Sequence, residues 1–267
     1  MDNTILISIL SMAGLGLFFA LVLAFANQKL KVKEDPRVEK IFSVLPGVNC
    51  GACGYTSCHQ YAEALAAGNI GPDQCRAGGE SVTKKLCDIL GVEAGESVKE
   101  IAVIHCGADA SKRKKKAIYN GIHTCRAAHN TFGAESVCEY GCLGYGDCMR
   151  ACPFGAITMV NGLPRIDKNK CTACKKCTVA CPRGIITVER LHRPDLAYVA
   201  CSNRQKGAET RKICSVGCIA CGLCQKETSG IFYVENNLAQ VRYEKEAEIK
   251  DINALKTRCP AKCILNV

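Results

Sequence analysis

Cys171, Cys174, Cys177 and Cys181, with Pro182 directly after them, form a C-x2-C-x2-C-x3-C-P run. That spacing holds iron–sulfur clusters: soft thiolates bind cluster iron, a tight loop converges three sulfurs on one cubane, and the fourth serves a neighbouring cluster. The chemistry such a run supplies is one-electron transfer. By number alone, 22 cysteines among 267 residues would also suit a disulfide scaffold or zinc. Crowding of the cysteines two residues apart argues against disulfides, which in small secreted chains are spread along loops. Zinc knuckles use isolated C-x2-C pairs and lack the proline-terminated run. Cluster binding in turn implies a reducing compartment.

Upstream, Cys50, Cys53, Cys58 and Cys75 read C-x2-C-x4-C-x16-C, four thiols for a further cluster. Gly51 and Gly54 let the backbone pass close to inorganic sulfide, so that N–H groups can point at it and help set potential.

Downstream the chain repeats itself. Setting Cys142 against Cys218 places Cys148 on Cys224 and Cys138 on Cys214, and Val103-Ile104-His105-Cys106 resembles Val199-Ala200-Cys201. Each copy then carries a hairpin pattern, at 155–167 and 230–242, with Asn161-Gly162 and Asn236-Asn237 as turns able to take positive φ. In the first copy, exchange of fourth ligands predicts one cluster on Cys138, Cys142, Cys148 and Cys181 and another on Cys152, Cys171, Cys174 and Cys177. Five residues separate Cys142 from Cys148, and Tyr145 stands where the second copy has Cys221, so Cys138 is the expected stand-in. In the second copy Thr228, Glu246, Ile249 and Ile252 occupy the positions of Cys152, Cys171, Cys174 and Cys177. A complete ligand set is missing, which leaves Cys218, Cys221, Cys224 and Cys259 for one cluster. Cys259 is preferred over Cys214 or Cys263 because Pro260 follows it. Cys106, Cys125, Cys201 and Cys214 remain, either as buried thiols or as a fifth cluster at the junction of the copies. Four 4Fe-4S clusters are therefore expected, with a fifth left open.

The elements that must position these thiols are short. Residues 4–26 are almost unbrokenly apolar and long enough, at about 1.5 Å per residue, to cross a hydrocarbon layer of roughly 30 Å. Lys29, Lys31 and Lys33 follow, and Asp2 is the only charged side chain before the run. The positive-inside rule then predicts a single-pass anchor in the cell (inner) membrane with everything after it cytoplasmic. A cleavable signal peptide is the alternative, but the basic n-region is missing. Gly14 and Gly16 are weak marks of packing against partner helices. Helical periodicity predicts helices over 34–45, 59–67 and 82–92, the last carrying Cys87 as an ordinary buried thiol. Lys112-Arg113-Lys114-Lys115-Lys116 reads either as a solvated loop or as a docking patch for an acidic partner, with no nucleic-acid fold signature beside it.

The anchor followed by E34-D-P-R-V-E-K-I, then L45-P-G-V-N-C-G-A-C-G-Y, the ferredoxin repeats and the closing C259-P-A-K-C-I resemble the B subunit of the Rnf complex. This is a membrane-bound, ion-translocating ferredoxin:NAD oxidoreductase. The resemblance implies that the chain accepts electrons from reduced ferredoxin and relays them through its clusters to flavin-bearing and other membrane subunits, where NAD is reduced and an ion exported. A net charge of +10 would favour an acidic ferredoxin. With no Gly-rich dinucleotide fingerprint between a strand and a helix, NAD and flavin sites are expected on other subunits and no catalytic acid, base or nucleophile here. The alternatives are a membrane-anchored polyferredoxin serving another reductase, or a cluster-based redox sensor that binds DNA. The expected fold class is α+β: an anchor over 1–27, a small helical 4Fe-4S module over 28–95, a double-cluster ferredoxin-like domain over 96–192, and a second, degenerate one over 193–267.

Overall fold

The computed structural model describes residues 2–30, 35–93, 98–191, 193, 195–249 and 251–267. Helix α1 (Asp2–Leu30) carries the apolar run three residues past the expected end of the anchor. Its large apolar side chains, from Ile5 to Leu30, lie exposed and pack against no protein core. One helix of the described residues, Ile5–Leu30, is long and apolar enough to cross a membrane. Lys31, Lys33 and Glu34 lie outside the described residues, as do the expected boundaries at 95 and 192.

Three helices build the first module. Helix α2 (Pro36–Val44) starts at Asp35, whose side chain accepts from the Arg37 N–H, with Pro36 in the first turn. Helix α3 (Cys58–Ala66) is capped by Ser57, which accepts from the Gln60 N–H. Helix α4 (Gly79–Leu90) begins three residues earlier than its apolar pattern, because its first turn is polar. Glu80 favours that N-terminus and pairs with Lys84 at 2.8 Å. Val38, Ile41, Tyr61, Leu65 and Leu86 close a small core between the three helices. Cys87 is buried on α4, as expected.

Two similar halves follow. The first runs β1 (Glu100–Ile104), α5 (Cys125–Asn130), α6 (Asp147–Arg150), β2 (Ile157–Val160), β3 (Leu163–Ile166), α7 (Lys176–Ala180) and β4 (Ile186–Arg190). The second runs β5 (Ala197–Val199), α8 (Gly207–Ile213), α9 (Leu223–Glu227), β6 (Phe232–Glu235), β7 (Leu238–Val241), α10 (Ile252–Arg258) and β8 (Ile264–Asn266). Both hairpins form where the pattern puts them, β2 with β3 and β6 with β7. Asn161, Gly162, Asn236 and Asn237 all take the left-handed φ such turns need, between 49° and 71°. In each half the first strand pairs antiparallel with the last, β1 with β4 and β5 with β8, which closes the unit around its core.

The halves are joined side by side. The Gly107 N–H donates to the Ala200 carbonyl at 2.8 Å, and the Ser202 hydroxyl donates to the His105 carbonyl at 2.9 Å. Half-buried His105 contacts the Val199 carbonyl through Nδ1 at 2.8 Å and Thr187 Oγ1 through Nε2 at 2.9 Å. The basic run is part of this seam. The Arg113 guanidinium donates to the Cys142 and Gly162 carbonyls, Lys112 pairs with Asp109, Lys115 pairs with Glu135, and Lys116 Nζ donates to the Phe132 carbonyl. The segment is a surface strap: its lysines are exposed, three of them paired within the first half, while the Lys114 N–H donates to the Ile213 carbonyl and Arg113 bridges to Cys214 in the second half.

Candidate metal centres

Cys50, Cys53, Cys58 and Cys75 line one cavity. Cys58 opens α3, and its N–H is held by Asn49 Oδ1 at 2.7 Å. Gly51 and Gly54 sit at φ +74° and +90°, a region where only glycine is at ease, and the Gly54 N–H donates to the Gly51 carbonyl at 3.1 Å, closing a tight turn beside the cavity. Burial pushes the Cys75 thiol up to about 11, so in the metal-free chain it holds a proton that iron must displace.

In the second half, Cys218, Cys221, Cys224 and Cys259 line one cavity. Cys214 is not among its walls. Cys263 is, 3.7 Å from Cys259 by sulfur–sulfur distance. Cys259 caps the C-terminus of α10 as Cys181 caps α7, which keeps the two proline-followed thiols equivalent. Where the other ligand set is missing, the space is filled: Thr228, Glu246, Ile249 and Ile252 are all buried. Ile249 and Ile252 join Leu255, Phe232 and Ala197 in the core of this half. Thr228 Oγ1 accepts from the Phe232 N–H at 2.9 Å, and Glu246 Oε1 accepts from the Ala197 N–H at 2.8 Å.

In the first half, Cys177 is the buried centre of one set. Burial pushes its thiol up to about 12, and Cys171, Cys174, Cys148 and Cys152 stand near enough to add to the effect. Cys152, Cys171 and Cys177 belong to the same apolar core. The Cys171–Cys177 loop and the Cys218–Cys224 loop of the second half share a strained feature, left-handed alanines at Ala173 (φ 55°) and Ala220 (φ 56°).

The neighbouring set differs from expectation by one residue. One cavity gathers Cys142, Cys148 and Cys181 with Cys125, not with Cys138. Tyr145, at the position of Cys221, stacks on His123 at 5.5 Å. Helix α5 then delivers Cys125 from outside the repeat. Thr124 caps that helix by accepting from the Ala127 N–H, and Asp147 accepts from the Arg126 N–H at 3.0 Å, which pins α5 against α6. Cys138 instead lines a fourth cavity together with Cys106, Cys201 and Cys214. Cys125 therefore leaves the leftover group expected from the sequence, and Cys138 enters it.

Among the described residues no three His, Cys, Asp or Glu side chains close on one point as a single bound ion would require. Four of the thiol groups stand around wider cavities, each with four or five soft sulfur donors, a donor set that fits a 4Fe-4S cluster.

Cysteine-lined cavities in ferredoxin-like halves, behind a helix apolar enough to cross a membrane, define an iron–sulfur electron-transfer protein. Similarity to known proteins agrees with this class. Residues 45–77 match the FeS family model, for an Fe-S cluster, and residues 163–186 match a 4Fe-4S binding domain. The chain is 38% identical, over 99% of its length and 78% of the relative's, to the B subunit of the Na(+)-translocating ferredoxin:NAD(+) oxidoreductase complex of Acetobacterium woodii. It is 35% identical to the B subunit of the ion-translocating oxidoreductase complex of Methanosarcina acetivorans, over 99% of both chains. A third relative, the B subunit of the proton-translocating ferredoxin:NAD(+) oxidoreductase complex of Clostridium ljungdahlii, is 38% identical over 98% of this chain and 92% of its own. The chain belongs to the family of B subunits of these ion-translocating oxidoreductase complexes, the Rnf complexes.

Proposed function

We propose that this protein is the electron entry of its complex, receiving electrons from reduced ferredoxin and passing them to flavin-bearing membrane partners that hold the NAD site. The observation that carries the reading is the convergence of cysteines far apart in sequence into separate cavities. When bound, 4Fe-4S clusters supply one-electron redox capacity. The residues assigned to hold them are Cys50, Cys53, Cys58 and Cys75; Cys125, Cys142, Cys148 and Cys181; Cys152, Cys171, Cys174 and Cys177; and Cys218, Cys221, Cys224 and Cys259. The chain's own part is to exclude water by burial, to aim backbone N–H groups at sulfur and to place charge nearby, the levers that set potential. Helix α1 is assigned as a single-pass anchor, with the lysines after it holding the rest of the chain on the cytoplasmic side.

The test is anaerobic stopped-flow mixing of the holoprotein with reduced ferredoxin. Bleaching of cluster absorption, at a rate that falls as salt rises, is expected for a chain of charge +10. Absence of reduction by stoichiometric reduced ferredoxin would refute the donor assignment.

A further inference from the structure

We infer that Cys106, Cys138, Cys201 and Cys214 hold a fifth 4Fe-4S cluster in the seam between the two halves. The inference rests on the reading of the chain as a multi-cluster electron carrier and extends it to a site that neither half contains alone.

The four thiols line one cavity. Two come from each half, and they come in matched pairs. Cys106 follows the last residue of β1 by two positions, and Cys201 follows the last residue of β5 by two. Cys138 and Cys214 each stand four residues before the first cysteine of a cluster loop, Cys142 and Cys218. The cavity is thus pseudo-symmetric about the seam.

Two of the sulfurs already accept backbone N–H donors, one on each side of the seam. The Cys142 N–H donates to Cys106 Sγ at 3.4 Å, and the Asn203 N–H donates to Cys201 Sγ at 3.5 Å. Donors of this kind tune the potential of a bound cluster. Gly141 keeps the wall open: a Cβ there would stand 3.3 Å from Cys138 Sγ and 3.9 Å from Cys106 Sγ.

The placement also has a consequence for wiring. The amide that reaches Cys106 belongs to Cys142, and Cys201 shares a core with Cys218; Cys142 and Cys218 line the cavities on either side. The seam site therefore lies between a site of the first half and the site of the second. One electron leaving either neighbour would reduce the seam cluster by one and leave again to the other, so no net chemistry is needed there.

The test counts iron and acid-labile sulfide on the anaerobically reconstituted full chain, with Mössbauer and EPR spectra. Wild type is expected to hold about 20 irons, four per cubane. Cys106→Ser and Cys201→Ser, changed in different halves, should each fall to about 16 irons and lose the same spectral component. Cys125→Ser should also lose about four irons but a different component, while Cys87→Ser should lose none. The wild-type count does not depend on how any variant folds. About 16 irons in wild type, all retained in Cys106→Ser and Cys201→Ser, would overturn the seam site and leave the four-cluster carrier standing. Fewer than about 12 irons would overturn both.

Discussion

The same position should respond to mutation in two different ways in the two halves. Cys177 and Ile252 are equivalent in the repeat, and each is buried at the start of its helix, Cys177 in α7 and Ile252 in α10. Ile252 is 3% exposed and packs with Leu255, Ile249 and Phe232. Truncation to alanine removes buried methyl groups and leaves a cavity that a short helix only partly closes, a cost of about 2–5 kcal/mol. Alanine's better helix propensity returns about 0.4 kcal/mol. With about 3 kcal/mol as the central expectation, and about 4–8 °C per kcal/mol for a unit the size of 193–267, the apparent Tm of this half should fall by roughly 12–24 °C. No iron should be lost. Cys177→Ala should instead cost about four irons, because the first half fills that space with ligands. The assay is thermal denaturation of the anaerobic holoprotein followed by circular dichroism, with iron and sulfide counted on the same samples. A Tm shift under about 4 °C for Ile252→Ala, iron loss in that variant, or full iron in Cys177→Ala would refute the idea that packing has replaced a cluster.

Arg183 follows the Cys181-Pro182 pair, lines the Cys125 cavity and lies near Cys138, Cys181 and Cys142. A unit charge about 6 Å away at an effective dielectric constant near 20 is worth about 3 kcal/mol. Solvent roughly halves this at a half-exposed site, so Arg183→Gln should make a neighbouring midpoint more negative by about 60 mV in EPR-monitored titrations. An unchanged set of midpoints would rule the charge out as a tuning element. Ala220 holds a left-handed φ of 56°, and Ala220→Gly should therefore stabilise the holoprotein by up to about 1 kcal/mol, read as a rise in Tm. A fall in Tm would show that the methyl group matters more than the backbone strain. Iron removal by a chelator under reducing conditions should melt the 35–93 module, whose core is a handful of side chains, with loss of helical circular dichroism. Retained helicity there would contradict cluster-dependent folding.

Much of the architecture is legible in the sequence because cysteine spacing and turn residues act locally. The C-x2-C-x4-C loop, the two hairpins and the asparagine turns all follow from neighbours a few positions apart. The outer ribbons are not legible in this way: β1 meets β4 across more than 80 residues, and β5 meets β8 across more than 60. Short strands such as Ala197–Val199 leave little periodicity to detect. The exchange of Cys125 and Cys138 has the same origin. Cys138 is close in sequence to Cys142, but the thiol that joins Cys142 in space rides on α5, an insertion outside the repeat. A signal is present all the same, since aligning the copies matches Cys138 with Cys214 and Cys106 with Cys201. A symmetric set is more economical than one that borrows Cys125. Glu246, Ile249 and Ile252 stand out in the sequence as lost ligands, yet only the fold displays Ile249 and Ile252 as part of a repacked core.

The cavity shared by the two halves also imposes an order of events on synthesis. Cys106 and Cys138 leave the ribosome well before Cys201 and Cys214, and the strap at 112–116, already held by the first half, cannot reach across the seam until Ile213 and Cys214 arrive. Iron delivered to the growing chain can settle in the first module and in the first half, but not in the seam. Occupancy there would mark a molecule whose two halves have both folded and docked.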